Sequence, residues 1–366
     1  MTRYIGLMSG TSLDGVDGVL VDIDDSSGAP TLRAHHHEPF VAALRDELLA
    51  LNTRGDDELH RAALAARSVA LAYAAVVTTL LFESSTLQRE VRAIGAHGQT
   101  VRHRPEAGYT LQLLDGALLA EFTGIDVVCD LRSRDVAADG QGAPLAPAFH
   151  VAVFGRPDEA RAVLNLGGIS NLTLLQPDQP VVGFDCGPAN ALLDGWCQRH
   201  RGQPFDADGQ WAASGQVHEP LLRTLLAEPY LALAPPKSTG RDLFHLAWLD
   251  AHLAHHPGLP AADVQATLAA FTVESIARDL ERHGPQTLAV FVCGGGARNG
   301  HLMHQLAQRL PRVRVGTTAD LGVPVDQVEG AAFAWLAHRF IERRPGNLPD
   351  VTGARGPRLL GALYPA

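Results

Sequence analysis

Three glycine-rich turns and a few carboxylates carry the chemistry this sequence could perform. The first turn, Ser9-Gly10-Thr11-Ser12-Leu13-Asp14-Gly15-Val16-Asp17, sets glycines and hydroxyls between two apolar runs. Glycine lets a backbone approach a phosphate closely, and successive N–H groups in such a turn form an anion nest. Thr11 and Ser12 add neutral donors, while an ordinary hairpin is the plainer alternative. No Gly-x-x-x-x-Gly-Lys-Ser/Thr run occurs, which disfavours a P-loop fold. Further along, Asp185 stands in Phe184-Asp185-Cys186-Gly187-Pro188, where a strand meets a loop. A carboxylate there can take a proton from a nucleophile or orient a magnesium-bound water. As a structural group it would cap the helical run from Ala191.

The third turn, Gly294-Gly295-Gly296-Ala297-Arg298-Asn299, follows the apolar strand that ends at Cys293. Three glycines in a row are entropically unfavourable, so they mark close contact with something flat or anionic. A dinucleotide fingerprint would lie near an N-terminal strand, with an acid about twenty residues on. An adenosine-facing loop suits this run better. Asp326 and Glu329 put two carboxylates at a helix start, where the helix dipole alone could explain them. His97 with Gln99, and Arg132 with Arg134, are polar clusters at strand ends, where α/β proteins gather ligand contacts. Lys237-Ser238-Thr239-Gly240 looks like a phosphate loop, but Pro235-Pro236 precedes it where a strand belongs. His35-His36-His37 could bind metal, though alternation along a strand argues against a built site.

These groups need two domains of ordinary size, which a chain of 366 residues supplies. With 46% hydrophobic and 19% charged residues, the chain has enough apolar side chains for sizeable cores. A net charge of -10, with no Lys/Arg cluster, argues against nucleic acid as a partner. Residues 68–82 form an apolar stretch too short for a bilayer, which reads as a buried helix. The first strand begins so near residue 1 that no signal peptide is expected before it, and no C-x-x-C pair occurs among Cys129, Cys186, Cys197 and Cys293. Both features point to a reducing cytoplasm.

Strands are expected over 4–8, 16–23, 91–96, 126–130, 162–166, 172–175 and 288–293. Helices are expected over 38–51, 58–82, 263–282 and 330–340. The strand–turn–strand at Asn165-Leu166-Gly167-Gly168 repeats the opening device and suggests two domains of related topology, 1–145 and 146–366.

Taken in order, these runs resemble the anhydro-N-acetylmuramic acid kinase family. The resemblance is carried by Gly6 to Asp17, Gly98-Gln99-Thr100, Gly140 to Leu145 and Asn165 to Asn171. Phe184-Asp185, Gly187-Pro188, Pro236 to Arg241 and Glu329-Gly330 complete it, from residue 4 to the last residues. Cys186, Asp139, Leu131 and Ala189 depart from the usual family residues. The resemblance implies an α/β actin-like ATPase fold, with ATP in a central cleft between two ribonuclease-H-like domains. It also implies a cytoplasmic homodimer that uses ATP and Mg2+ to recycle cell-wall sugar.

In the substrate so implied, 1,6-anhydro-N-acetylmuramate, O6 is an ether oxygen with no proton to lose. Asp185 is then expected to deprotonate a water that attacks C1, while O6 takes the γ-phosphoryl group. Glu329 is a second catalytic candidate. Nucleotide contacts are expected from residues 10–17, Asn165, Gly167, Gly168, Gly294, Gly295, Gly296 and Asn299. Sugar contacts are expected from His97, Gln99, Arg132 and Arg134. The alternatives are a kinase of another N-acetyl amino sugar on this fold, or a non-catalytic ATP-binding module.

Overall fold

Apolar residues run through β1 (Thr2–Met8) and β2 (Gly15–Ile23) because both strands lie inside a sheet covered on each face. In the computed structural model, which describes residues 1–366 apart from 11, 12, 27 and 241, this sheet continues with β3 (Pro30–Pro39) and β4 (Val91–Ala96). A hairpin of β5 (Gln99–Arg104) and β6 (Tyr109–Leu113) follows, and β7 (Val127–Cys129) rejoins the sheet. The order β3-β2-β1-β4-β7 joins β1, β2 and β3 antiparallel, with β4 and β7 added in parallel.

The second sheet repeats this plan. Its strands are β8 (Arg161–Leu166), β9 (Ile169–Leu175), β10 (Val182–Pro188), β11 (Ala289–Cys293) and β12 (Arg314–Thr317). They lie in the order β10-β9-β8-β11-β12, the first three antiparallel and the last two parallel. The chain therefore carries two ribonuclease-H-like sheets, as expected from the repeated strand–turn–strand device.

The division of the chain differs from the expected 1–145 and 146–366. One compact unit comprises Met1–Val153 with Gln327–Ala366, and the other comprises Phe154–Asp326. The tail belongs to unit 1 because its helix Val328–Ile341 lies on the first sheet, while β13 (Ala362–Tyr364) pairs with β7. That contact is backbone on backbone. A Cβ on Gly6 would stand 1.9 Å from the Gly330 carbonyl oxygen, and one on Gly95 2.0 Å from that of Phe333. On the opposite face, a Cβ on Gly18 would meet Val76 of the helix Glu58–Glu83 at 2.3 Å.

That helix is longer than the apolar stretch read from sequence. It has 26 residues and a window of mean hydropathy 1.7, enough by length and composition alone to cross a membrane. Its buried Val69, Tyr73, Val76, Val77 and Leu80 belong to the core of unit 1. The helix expected from Glu38 starts at Ala42, because β3 runs on to Pro39. The hairpin β5–β6 and the strands β12 and β13 carried no alternation long enough to be read.

Candidate active site

Unit 1 builds its polar centre around the first turn. Leu13 N–H donates to the Gly10 carbonyl at 3.2 Å and closes it. Leu13 has φ 57°, a left-handed conformation that costs a non-glycine residue on the order of 1–3 kcal/mol and gathers at functional sites. Gly15 follows where β3 passes so closely that a Cβ would lie 2.3 Å from the Glu38 carbonyl oxygen. Where β4 gives way to β5, the Gln99 amide donates to the Gly10 carbonyl at 3.1 Å, and His97 Nδ1–H donates to that of Ser9 at 3.3 Å. Arg132 donates twice to His97 Nε2, at 3.0 and 2.9 Å, and once to the Gly142 carbonyl at 2.8 Å.

An imidazole that accepts at Nε2 is neutral and carries its proton on Nδ1. Burial, and then the charge of Arg132, hold the His97 pKa down to about 3. Burial also lowers the Arg132 guanidinium to about 10. Fully buried Asp135 accepts from Gly142 N–H, the Asn347 amide and the Thr352 hydroxyl at 2.8, 2.7 and 2.8 Å, tying the Gly140–Gly142 loop to the tail. Asp139 pairs with Arg355 at 2.9 Å.

Glu329 stands in the first turn of the helix Val328–Ile341 with its side chain open to solvent. Its pKa is raised first by the protein mass around it, with Arg132 opposing and the charges of Asp17 and Asp14 adding to the rise. Water reaches the carboxyl, which tempers that rise.

Unit 2 carries the other candidates. Asp185 lies on β10 where the register against β9 shifts between Asp185 and Gly187, a bulge that re-aims its side chain. Its Oδ2 accepts from the Ser238 hydroxyl and the Thr239 N–H, both at 2.9 Å. Burial raises its pKa, and those two donors together with Lys237 work against the rise. The backbone is held as well: Asp185 N–H donates to the Lys237 carbonyl at 3.2 Å, and Tyr230 OH to the Asp185 carbonyl at 2.8 Å.

The third turn mixes packing with open space. Gly294 has φ 81°, and a Cβ there would lie 2.3 Å from Asn165 Oδ1; one on Gly296 would lie 2.5 Å from the Leu166 side chain. A Cβ on Gly295 would meet nothing within 4 Å. The second turn holds a helix: the Asn190 amide donates to the Leu166 and Gly167 carbonyls, and the N–H groups of Ala189 and Ala191 to that of Gly168.

Several expected contacts have structural duties. His97, Gln99 and Arg132 are committed to the first turn and the Gly142 loop, which leaves Arg134 as the exposed cation of that group. Asn299 caps the helix Gly300–Arg309 through Leu302 N–H at 3.1 Å. Val16 is a core residue. Asp326 pairs with Arg298 at 2.7 Å and precedes the helix that carries Glu329. Thr11 and Ser12 lie outside the described residues.

Ser238, Thr239, Tyr230 and Asp279 were not anticipated as neighbours of Asp185. The Lys-Ser-Thr-Gly run was the available signal, and its lysine is buried against Asp279 instead of facing solvent. An apolar groove of about 650 Å³ lined by Phe40, Val41, Leu64 and Leu71 contains none of these candidate residues, so cavity size does not mark the chemistry.

The sequence profile of the family described as anhydro-N-acetylmuramic acid kinase matches residues 2–366. A relative of that name from Cupriavidus pinatubonensis is 60% identical over 370 residues, covering 99% of this chain and 98% of its own. Another, from Bordetella petrii, is 62% identical over 366 residues, covering 99% and 96%. Among solved structures, (R)-2-hydroxyglutaryl-CoA dehydratase component A of Acidaminococcus fermentans is similar in fold. It has a TM-score of 0.50 and 11% identity, covering 92% of this chain and 97% of that one. The fold, the ordered motifs and the full-length likeness agree: the chain belongs to the anhydro-N-acetylmuramic acid kinase family.

Proposed function

We propose that this chain uses ATP to open the 1,6-anhydro ring of 1,6-anhydro-N-acetylmuramate and to phosphorylate O6, giving N-acetylmuramate 6-phosphate and ADP. The observation that carries the reading is Asp185, a half-buried carboxylate re-aimed by a bulge and held through one oxygen by Ser238 and Thr239. O6 is an ether oxygen, so the proton to be removed belongs to water. Asp185 takes that proton as the water oxygen bonds to C1; the C1–O6 bond breaks, and O6 accepts the γ-phosphoryl group. A base whose pKa is lifted by burial is better matched to this task near neutral pH than an ordinary aspartate. Glu329 is the second carboxylate of the reading.

The first turn and Gly295 are assigned to the nucleotide, and Arg134 is the cation available to the lactyl carboxylate. Among the described residues no group of three His, Cys, Asp or Glu could hold a metal alone. Magnesium fits a site that relies on phosphate oxygens and one or two carboxylates, and Glu329, whose pKa is raised in part by the charges of Asp17 and Asp14, shares its surroundings with two further carboxylates from which such donors could come. Bound there, it would neutralise charge on the phosphates. Four buried cysteines, none in a disulfide, suit a reducing cytoplasm, and a homodimer is the proposed assembly, to be checked by light scattering. The comparisons favour neither alternative, the kinase of another amino sugar or the non-catalytic module.

The test is reaction in ¹⁸O-labelled water, with prompt mass spectrometry and a control for anomeric exchange. Label is expected at C1, with the ester oxygen unlabelled. Label in the phosphate linkage, or at neither position, would remove the hydrolytic half of the mechanism.

A further inference from the structure

Behind Asp185 lies a charged pair almost wholly withdrawn from solvent. Lys237 Nζ sits 2.8 Å from one Asp279 oxygen and 3.0 Å from the other, and the two side chains are 1% and 3% exposed. The ammonium also lies over the rings of Phe184 and Tyr230, at 5.7 and 5.3 Å from their centroids. A buried ion pair of this kind contributes little net stability compared with apolar residues of the same volume. Its position suggests another duty. Phe184 immediately precedes Asp185, Tyr230 donates to the Asp185 carbonyl, and Ser238 and Thr239, next along from Lys237, hold the carboxylate.

We propose that the Lys237–Asp279 pair is a positioning device for Asp185: it pins the turn whose hydroxyl and N–H fix Oδ2 of that carboxylate. The inference rests on the reading of Asp185 as the base. The charged and titratable groups around Asp185 are Lys237, Tyr230, Cys186 and Asp279, with His283 and Arg282 on the far side of Asp279. Among the described residues, Lys237 is the cation whose charge bears on the carboxylate.

The test replaces the pair by apolar residues, Lys237→Met with Asp279→Leu, a change that leaves no lone buried charge. With a cooperative melt retained, kcat should fall at least ~10-fold, because the base is misplaced. KM for ATP should stay near the wild-type value. The acid limb of the kcat profile should move up by about 1 unit, since the donors that favour ionised Asp185 are loosened. If the double variant does not fold, Lys237→Gln, which keeps a neutral donor to Asp279, is read the same way. A folded variant with wild-type kcat and an unmoved acid limb overturns the proposal. A ¹³C NMR titration of the Asp185 carboxyl, assigned with Asp185→Asn, needs no turnover. It decides the positioning role even if the wild-type protein transfers no phosphate, a result that would sink the kinase reading alone. An Asp185 titration unchanged in the variant overturns the proposal there too.

Discussion

At Asp185 the known donors converge on one oxygen, Oδ2, while burial works against the charge of the whole group. Replacement by asparagine keeps the size and removes the basicity. Asp185→Asn is therefore expected to retain its circular dichroism spectrum and ATP binding while kcat falls at least ~10²-fold in a coupled ADP assay. The glycines of the third turn separate packing from binding. Gly295→Val should fold normally, since a Cβ there meets nothing, and should weaken ATP binding in calorimetric titration. Gly294→Ala should instead lower the melting temperature, by about 1–3 kcal/mol in stability, because its Cβ meets Asn165 on a left-handed backbone. Asp185 and the glycine runs were legible because each is a short local pattern. His97, Gln99 and Arg132 were legible as polar residues at strand ends, but residue type cannot tell a side chain facing a ligand from one folded back onto a turn. The pairing of Lys237 with Asp279 spans 42 residues and left no local trace.

Among the elements, the helix Val328–Ile341 has the narrowest tolerance. It rests on β1 and β4 at glycines, so any side chain at Gly6 pushes against the Gly330 carbonyl. Gly6→Ala should destabilise unit 1 by about 1–3 kcal/mol or more, read as a lower midpoint in urea. The same substitution should also reduce turnover, because Glu329 rides on the first turn of that helix. Its glycine and alanines are a local pattern, but the strands they approach lie more than 200 positions away in the chain. The central strands announced themselves through unbroken apolar runs. Strand β3 did not, because an edge strand with three consecutive histidines lacks an apolar face, and the helix expected to begin at Glu38 absorbed its end.

For the whole molecule, pH offers a reading of the units. His97 and His150 are buried in unit 1, and burial lowers both to about 3. Unfolding returns them to about 6.5. Between these values the unfolded chain binds more protons, so stability falls as pH drops, on the order of 1.4 kcal/mol per pH unit for each histidine. Hydrogen exchange at pH 7 and pH 5 should therefore show protection decreasing in β1 and β4 at the lower pH. Unchanged protection there would mean that the imidazoles are not held neutral. The repeated sheet plan was legible from two strand–glycine turn–strand devices, whereas the return of the tail to unit 1 was not, because only contacts between residues more than 200 positions apart reveal it.

That return sets an order of birth. A ribosome delivers Met1–Val153, then the whole of unit 2, and only afterwards the helix and strand that finish the first sheet. At about 5–20 residues per second, the uncovered glycine face of β1 and β4 waits on the order of 10–40 s for its partner. The unit that starts first is completed last. Through that interval its nascent sheet is an open apolar surface, the kind that chaperones hold, while the later-born unit can already close on itself.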